Sequence, residues 1–208
     1  MGDALVGSAE ATVARLEPPP LPCPVPTSAA QVDEGVVGLL GVSNFTPALL
    51  DELLAYARVR PALNEVEFSP ACFQHELVAA CTERGVAVVG YSPFGACWLA
   101  KYHPTSVPWG CTNLLTDATV AAVAAEVGCT PALVLLRWSL QHGVAVIPMT
   151  TKPERAVESK RALDGATRLT AAQMARLDAL NDARRGTMPS LEAHSRIIAS
   201  SGYTWKPT

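Results

Sequence analysis

The sequence predicts an α/β protein in which parallel strands are covered by helices. Short apolar segments alternate with amphipathic helical segments four times along the chain. The first three predicted strands start near residues 36, 62 and 86, about 25 residues apart. Each strand is apolar on both faces, which is typical of a buried parallel sheet. An open doubly wound sheet and a (β/α) barrel both fit, although the G-x-G-x-x-G turn that favours the first does not occur.

The first β/α unit begins with an apolar strand predicted at 36–42. Thr46 follows it as a helix N-cap, and Pro47 takes the first helical position, where its missing N–H has no partner to lose. The helix is predicted to bury one apolar stripe at helical spacing, made of Leu49, Leu50, Leu53, Leu54 and Ala57.

The second unit has a strand predicted at 62–68 and a helix that ends at Gly85, since glycine readily adopts the left-handed backbone of a helix end. That helix is predicted to turn three side chains inward: Leu77, Val78 and Cys81. The third strand is predicted at 86–90, and a long irregular stretch follows at 96–115.

The remaining elements carry clear start signals. Thr130 with Pro131 repeats the N-cap pattern of the first helix, and Thr170 with Gln173 forms a capping box. Leu169 is predicted to pack on Met174 as a hydrophobic staple of the last helix, and Gly128 and Gly143 to end the earlier helices. The predicted helices are 117–127, 131–142, 153–162 and 171–182, and the fourth strand is 144–148.

Composition excludes several classes of protein. The chain has 208 residues, of which 49% are hydrophobic and 17% charged, so it is globular and not intrinsically disordered. No apolar run approaches the roughly 18 residues that a membrane-spanning helix needs. The net charge is −3 and the basic residues are scattered, which argues against a nucleic-acid partner and a membrane surface.

The cysteines indicate a reducing compartment. None of the six forms a C-x-x-C pair and the chain has four histidines, so neither a structural zinc site nor another metal site is expected. Reduced thiols in a cytoplasmic protein are the simpler interpretation.

We expect three segments along the chain. Residues 1–28 include the run PPPLPCPVP at 18–26 and are predicted to be a disordered leader, because proline neither donates a backbone hydrogen bond nor fits a regular helix. Residues 29–185 hold the β/α units, and 186–208 form a polar, irregular C-terminal tail.

Polar and aromatic side chains gather where the predicted strands end. Ligands of parallel α/β proteins bind at the carboxyl ends of the strands. Turn chemistry explains each of these residues taken alone, but all four strand ends together favour a ligand site. The residues are Ser43, Asn44, Glu65, Glu67, Tyr91, Ser92, Met149 and Thr150.

Several motifs appear in a fixed order. They read GVSNF at 41–45, NEVEFSP at 64–70, GYSPFG at 90–95, TPA at 130–132, LRW at 136–138, VIP at 146–148 and PER at 153–155. Together they resemble the aldo-keto reductase family, from about residue 32 to residue 181. The resemblance implies a partial TIM-type (β/α) barrel of about four units, corresponding to strands five to eight of the family's eight. It also implies an extended nicotinamide cofactor bound without a Rossmann fold.

The resemblance implies roles for residues on the nicotinamide side. Ser43 and Asn44 match the pair that hydrogen-bonds the nicotinamide carboxamide, which needs both donors and acceptors. Glu65 stands where the family usually has glutamine, so this position accepts hydrogen bonds but does not donate when ionised. Tyr91 matches the aromatic residue that stacks on the nicotinamide ring.

The resemblance also implies roles for residues on the phosphate side of the cofactor. Ser92, Phe94 and Gly95 match the loop along the pyrophosphate, and Thr150, Arg155 and Glu158 match the part that binds the adenosine phosphate. Met149 replaces the lysine of the family's I-P-K-S string. The resemblance therefore implies weak binding of NADP(H), or of NAD(H), with a reduced preference for the phosphorylated form.

The same resemblance assigns no catalytic residue in this chain. The family's catalytic tyrosine, lysine, aspartate and histidine come from its first four strands, which these motifs do not include. Three hypotheses stay open: an NAD(P)H-dependent oxidoreductase that reduces small carbonyl compounds, a non-catalytic nucleotide-binding or interaction protein, and a truncated fragment. Self-association through exposed half-barrel edges is expected, since open strand edges and an apolar inner face promote it.

Overall fold

A computed structural model describes residues 28–95, 113–165 and 168–182. The predicted leader up to residue 27, most of the predicted irregular stretch at 96–115 and the predicted tail at 186–208 lie outside the described residues. The chain divides into two compact units, Met1–Leu39 and Leu40–Thr208. The described part of the first unit contains a short helix, α1 (Ser28–Asp33), which the sequence analysis does not predict.

Four parallel strands form one sheet in the second unit. They are β1 (Gly41–Ser43), β2 (Leu63–Glu67), β3 (Ala87–Tyr91) and β4 (Ala145–Val146), in the spatial order β1-β2-β3-β4. Each crossover therefore moves to the next strand in the same direction, as in a barrel, whereas a doubly wound sheet reverses its order. The predicted parallel sheet with barrel-type order is confirmed.

The outer strands are shorter than the sequence predicts. β1 begins at Gly41 and not near residue 36, and Val36 and Leu39 are 72% and 75% exposed. β4 covers two residues of the predicted 144–148, in part because Pro148 has no N–H to offer the ladder. Apolar runs thus overstate the length of strands at the two sides of the sheet.

Six further helices belong to the second unit, within its described residues. They are α2 (Pro47–Tyr56), α3 (His75–Glu83), α4 (Ala118–Val127), α5 (Pro131–Gln141), α6 (Pro153–Lys160) and α7 (Ala171–Asp182). Short 3₁₀ turns lie at Leu114–Thr116 and Arg161–Leu163, so the helix predicted to run to residue 162 changes its winding after Lys160.

The predicted helix signals are confirmed at atomic level. The hydroxyl of Thr46 accepts from the backbone N–H of Leu49 at 3.3 Å, and Thr130 caps α5 in the same way through Leu133. In the capping box of α7, Thr170 Oγ1 accepts from the Gln173 N–H at 3.3 Å while Gln173 Oε1 accepts from the Thr170 N–H at 2.9 Å. These bonds satisfy donors that every helix start leaves open.

The core lies between one face of the sheet and the helices. Val66, Phe68 and Val88 project from β2, from the residue after it and from β3 into this layer, and Phe68 is stacked on Trp138 of α5 with ring centroids 5.0 Å apart. Of the predicted stripe on α2, Leu50 is fully buried and the other members are partly buried. Burial of aromatic pairs of this kind dominates core stability.

The opposite face of the sheet is much more open. Ala87 and Ala145 on this face are exposed, and Ile147, just after β4, is 47% exposed. In a complete barrel this face would be turned toward the barrel interior. The ends of the strands, where this face meets the loops, hold the candidate site.

No individual helix in the described ranges is long and apolar enough to cross a membrane; α4 and α5 meet the length and composition test only as a pair bent by 89°.

Candidate functional site

A hydrogen-bonded chain of side chains joins the carboxyl ends of three adjacent strands. The Tyr91 phenol at the end of β3 donates to Asn44 Oδ1 at 3.0 Å. Asn44 Nδ2 donates to Ser43 Oγ at 3.1 Å, and Ser43 Oγ donates to the backbone carbonyl of Glu65 at 3.0 Å. The structure therefore brings together the four residues that the sequence analysis places on the nicotinamide side.

Two residues of the strand ends adopt a backbone that non-glycine residues rarely use. Asn44, directly after β1, has a φ of 59°, and Ser92, directly after β3, has a φ of 52°. They are the non-glycine residues with positive φ within the described ranges. Such conformations cost of order 1–3 kcal/mol and concentrate at functional sites, where the surrounding structure holds them in place.

The left-handed turn at Asn44 is held from both sides. Its backbone N–H donates to the Glu65 carbonyl at 2.9 Å, which continues the ladder between β1 and β2. The fully buried Asn64 side chain donates to the Phe45 carbonyl at 2.9 Å and accepts from the Phe45 N–H at 3.2 Å. Asn64 thus positions the loop that presents Asn44. This role of Asn64 is not predicted from its sequence motif.

A buried carboxyl lies beside the hydrogen-bonded chain. Glu67 pairs in register with Tyr91, is 4% exposed, and has its pKa raised by burial to about 7. Burial raises the pKa of Tyr91 as well, and the nearby charge of Glu67 adds to the effect. Glu67 is predicted to lie at a strand end but is not among the predicted cofactor-binding residues. Its spacing of two residues from Glu65, which puts both on one face of β2, is the signal for such a role.

Cys72 belongs to the same neighbourhood. Burial raises the pKa of its thiol, and the Glu67 charge raises it further. Gln74 donates from Nε2 to the Glu67 backbone carbonyl at 2.6 Å and lies 3.7 Å from the Cys72 sulfur. Burial therefore disfavours the thiolate, which is the nucleophilic form of this side chain.

The loop after β3 makes a tight turn. The Gly95 N–H donates to the Ser92 carbonyl at 2.9 Å, and Gly95 itself has a φ of 89°. Phe94 is partly buried against the core, and its carbonyl accepts from the Leu114 N–H at 3.1 Å. The predicted pyrophosphate loop is therefore anchored to the core and to the turn that begins at Leu114.

The residues predicted to hold the adenosine phosphate form a second group, around the start of α6. Thr150 Oγ1 accepts from the Lys152 N–H at 3.1 Å, and Glu158 accepts from the Thr130 hydroxyl at 2.6 Å. Arg155 and Met149 are exposed, Met149 at 84%. Two of the predicted ligands are thus already engaged in local structure, whereas Arg155 is open to solvent.

The described residues contain no group of three or more histidine, cysteine, aspartate or glutamate side chains that could hold a metal ion. Of the tyrosines in the described ranges, Tyr56 lies on α2 and Tyr91 lies at a strand end. The histidines at 75 and 142 lie at the start of α3 and just after α5.

Comparison with known proteins agrees with the geometry. A sequence model described as Aldo/keto reductase family matches residues 28–182. The chain is 36% identical over 179 residues to aldo-keto reductase family 1 member A1 of Rattus norvegicus, covering 86% of this chain and 53% of that protein. It is 36% identical over 150 residues to the NADPH-dependent D-xylose reductase of Candida boidinii, covering 72% of this chain and 46% of that protein.

A solved structure shows the same architecture. The aldose reductase from Giardia lamblia superposes with a TM-score of 0.65 at 27% identity, covering 75% of this chain and 48% of that one. The chain thus spans about half the length of the curated relatives it matches. Because the family model covers most of the chain and the parallel sheet matches part of a TIM-type barrel, the chain belongs to the aldo-keto reductase family.

Proposed function

We propose that the strand ends of this chain bind the nicotinamide part of NADP(H), or of NAD(H), as part of an oxidoreductase that reduces small carbonyl compounds. The observation that carries the proposal is the hydrogen-bonded chain Tyr91–Asn44–Ser43–Glu65 across three strand ends. Family membership supports the reaction class, since the matched relatives include a D-xylose reductase and an aldose reductase.

The donor set fits a carboxamide. A primary amide presents two N–H donors and one carbonyl acceptor, and Ser43 and Asn44 offer a hydroxyl and an amide side by side. Asn44 Nδ2 lies 3.1 Å from Ser43 Oγ, and Ser43 Oγ lies 3.0 Å from the Glu65 carbonyl. The left-handed turn at Asn44 directs that side chain across the sheet edge. Glu65 adds a carboxylate that accepts from the carboxamide N–H₂ but offers no donor.

Tyr91 supplies the aromatic surface. Its hydroxyl is engaged by Asn44, which fixes the orientation of the ring while leaving stacking to its faces. A ring held in this way loses little conformational entropy when a flat ligand packs on it. A bound dihydronicotinamide would supply the hydride for carbonyl reduction, and the residues named here would hold and orient it.

The residues predicted to bind the adenosine phosphate of the cofactor offer fewer contacts than the nicotinamide side. Arg155 is exposed at the first turn of α6, where the helix N-terminus also attracts anions. Met149 offers no charge for a 2′-phosphate. We therefore propose weak binding with little discrimination between NADPH and NADH.

We assign no catalytic acid to this chain, so we propose that the 208-residue polypeptide reduces carbonyl compounds slowly or not at all by itself. Tyr91 is an unsuitable acid, because its phenol donates to Asn44 and its raised pKa disfavours loss of the proton. Positioned general acids are typically worth 10²–10⁴-fold in rate.

A binding titration tests the cofactor assignment. NADPH fluorescence, quenched or shifted by the purified chain, should give a saturable curve that weakens strongly in Asn44→Ala. The control Glu83→Ala removes an exposed side chain from the last residue of α3 and should leave the dissociation constant unchanged. Lack of a saturable signal in the folded wild-type chain would refute the assignment.

An activity assay tests the second part. NADPH consumption with 4-nitrobenzaldehyde, measured on chain purified free of host reductases, should stay near the background rate. Turnover near 1 s⁻¹, which is about the low end for ordinary enzymes, and its loss on substitution of one residue of this chain would identify an acid that the proposal lacks.

A further inference from the structure

Glu65 occupies the middle of the candidate site. It lies on β2, between β1 and β3, and pairs in register with Ser43 on one side and with Val89 on the other. Its backbone carbonyl accepts from the Asn44 N–H at 2.9 Å and from Ser43 Oγ at 3.0 Å. Glu65 is therefore fixed to the two residues that we propose to hold the carboxamide.

The side chain of Glu65 lies on the same face of the sheet as that of Tyr91. Residues two apart in one strand project to the same face, and so do residues that pair in register between parallel strands. Tyr91 pairs with Glu67, which is two residues beyond Glu65 on β2. The face that carries the proposed stacking ring therefore also carries the Glu65 carboxylate.

The charge of Glu65 acts on Tyr91. Burial is the main cause that raises the pKa of the Tyr91 phenol, and negative charge nearby raises it further. That charge comes from Glu67, Cys72 and Glu65, in decreasing order of effect. Glu65 therefore contributes to a negative potential at the ring on which we propose that the nicotinamide stacks.

The two redox forms of a nicotinamide cofactor differ in the charge of one ring. The oxidised nicotinamide ring carries one positive charge and the dihydronicotinamide ring is neutral, whereas the phosphates, riboses and adenine are the same in both forms. An ionised carboxylate attracts the positive ring, and this attraction is stronger at a partly desolvated site than in bulk water. The face of a tyrosine ring also attracts a cation.

We propose that Glu65 is a specificity-determining residue that makes this site bind the oxidised nicotinamide cofactor more tightly than the reduced one. The inference rests on the proposed function, because it concerns a nicotinamide held at these strand ends. Tighter binding of the oxidised form lowers the reduction potential of the bound couple, by about 30 mV for each tenfold in the ratio of the two dissociation constants. The carboxylate thereby favours hydride transfer from the reduced cofactor to a carbonyl carbon.

Isothermal titration calorimetry of the purified chain with NADP⁺ and with NADPH tests the proposal. The Kd for NADPH divided by the Kd for NADP⁺ gives a preference ratio in which contacts to the shared parts of the cofactor cancel. We expect the wild-type chain to bind NADP⁺ more tightly, and the ratio to fall about fivefold or more in Glu65→Gln, which keeps the shape of the side chain but removes its charge.

Two further variants separate charge from shape and position. Glu65→Asp keeps the charge and should retain a higher ratio than Glu65→Gln. Glu83→Gln removes a charge from an exposed position at the end of α3 and should keep the wild-type ratio. Circular dichroism verifies that each variant is folded.

The outcomes distinguish this inference from the proposed function. If the folded wild-type chain binds neither form of the cofactor, both are wrong. If it binds both forms with a ratio that Glu65→Gln leaves unchanged, the cofactor site stands and the role of Glu65 is refuted. A salt titration of the wild-type chain needs no variant: added NaCl should lower the ratio, because ions screen the attraction between the carboxylate and the ring. A ratio that does not depend on salt would also overturn the proposal.

Discussion

The phenol of Tyr91 donates to Oδ1 of Asn44 across 3.0 Å, and this contact joins β3 to β1 over the intervening strand. It places an aromatic ring and an amide at one strand-end surface although 46 residues separate them in the sequence. Because Asn44 holds a left-handed backbone, the contact also helps to retain a conformation that costs energy by itself.

Removing the hydroxyl and removing the ring should have different effects. Tyr91→Phe keeps the stacking surface and loses one hydrogen bond, so we expect a loss of stability of about 1 kcal/mol and less than tenfold weaker NADPH binding. Tyr91→Ala loses the ring and should abolish detectable binding. Urea denaturation and NADPH titration of both variants make the comparison, and equal binding by all three proteins would contradict the stacking role.

Restoring a charge near the start of α6 should change cofactor preference. Met149→Lys adds an ammonium at a position that is 84% exposed, where the family resemblance implies a lysine that binds the 2′-phosphate. A charge-assisted hydrogen bond is worth about 1.5–3 kcal/mol, so NADPH should bind about tenfold more tightly or better. NADH should change little, and Met149→Gln provides the uncharged control. If NADPH and NADH both bound more tightly by the same factor, the added lysine would not act through the 2′-phosphate and the prediction would be wrong.

The buried carboxyl of Glu67 predicts a stability that depends on pH. Burial raises its pKa from 4.5 to about 7, so the folded state binds more protons than the unfolded state between these values. Stability should therefore fall as pH rises from about 4.5 to about 7, by about 3 kcal/mol, and level off above. Glu67→Gln should flatten this profile, whereas Glu76→Gln, at an exposed position, should retain it. Thermal unfolding between pH 5 and pH 8 measures the difference, and a wild-type Tm that does not change would exclude a neutral buried Glu67.

Close packing in the third strand leaves no room at Gly90. A Cβ added there would lie 2.8 Å from Phe68 Cβ and 3.3 Å from Val144 Cγ1, and neither neighbour can move without disturbing the core. Gly90→Ala should cost about 1–3 kcal/mol. Gly38→Ala, whose new Cβ meets nothing within 4 Å, should be nearly neutral. Chemical denaturation measures the free energy of unfolding of both variants. Equal losses of stability would show that the core relaxes around the new methyl group at Gly90, and would contradict the prediction.

The sequence predicts the helices well because their boundaries depend on local chemistry. Thr46, Thr130 and Thr170 each cap a helix as the sequence analysis expects, with their hydroxyls on backbone donors three residues ahead. Strand lengths are less well predicted, because an apolar run such as 36–42 does not itself determine which residues find a pairing partner.

The candidate site, too, is predicted from the sequence only in part. Motif resemblance predicts that Ser43, Asn44, Glu65 and Tyr91 share a surface, and their hydrogen bonds connect them. The burial of Glu67 and the support that Asn64 gives to the loop after β1 depend on tertiary packing, which a single sequence does not display. The left-handed backbone of Ser92 likewise follows from its place between β3 and the turn at Gly95, and not from its own preference.

The most direct test of the proposed cofactor site is a residue-specific map of binding. We expect NADPH added to ¹⁵N-labelled chain to shift the backbone amide resonances of Ser43, Asn44, Tyr91 and Ser92 along one saturating curve. Resonances on α3, such as that of Glu76, should stay in place. Saturable shifts confined to other parts of the chain, or unchanged resonances at all four strand-end residues under saturating NADPH, would contradict a nicotinamide site at these strand ends.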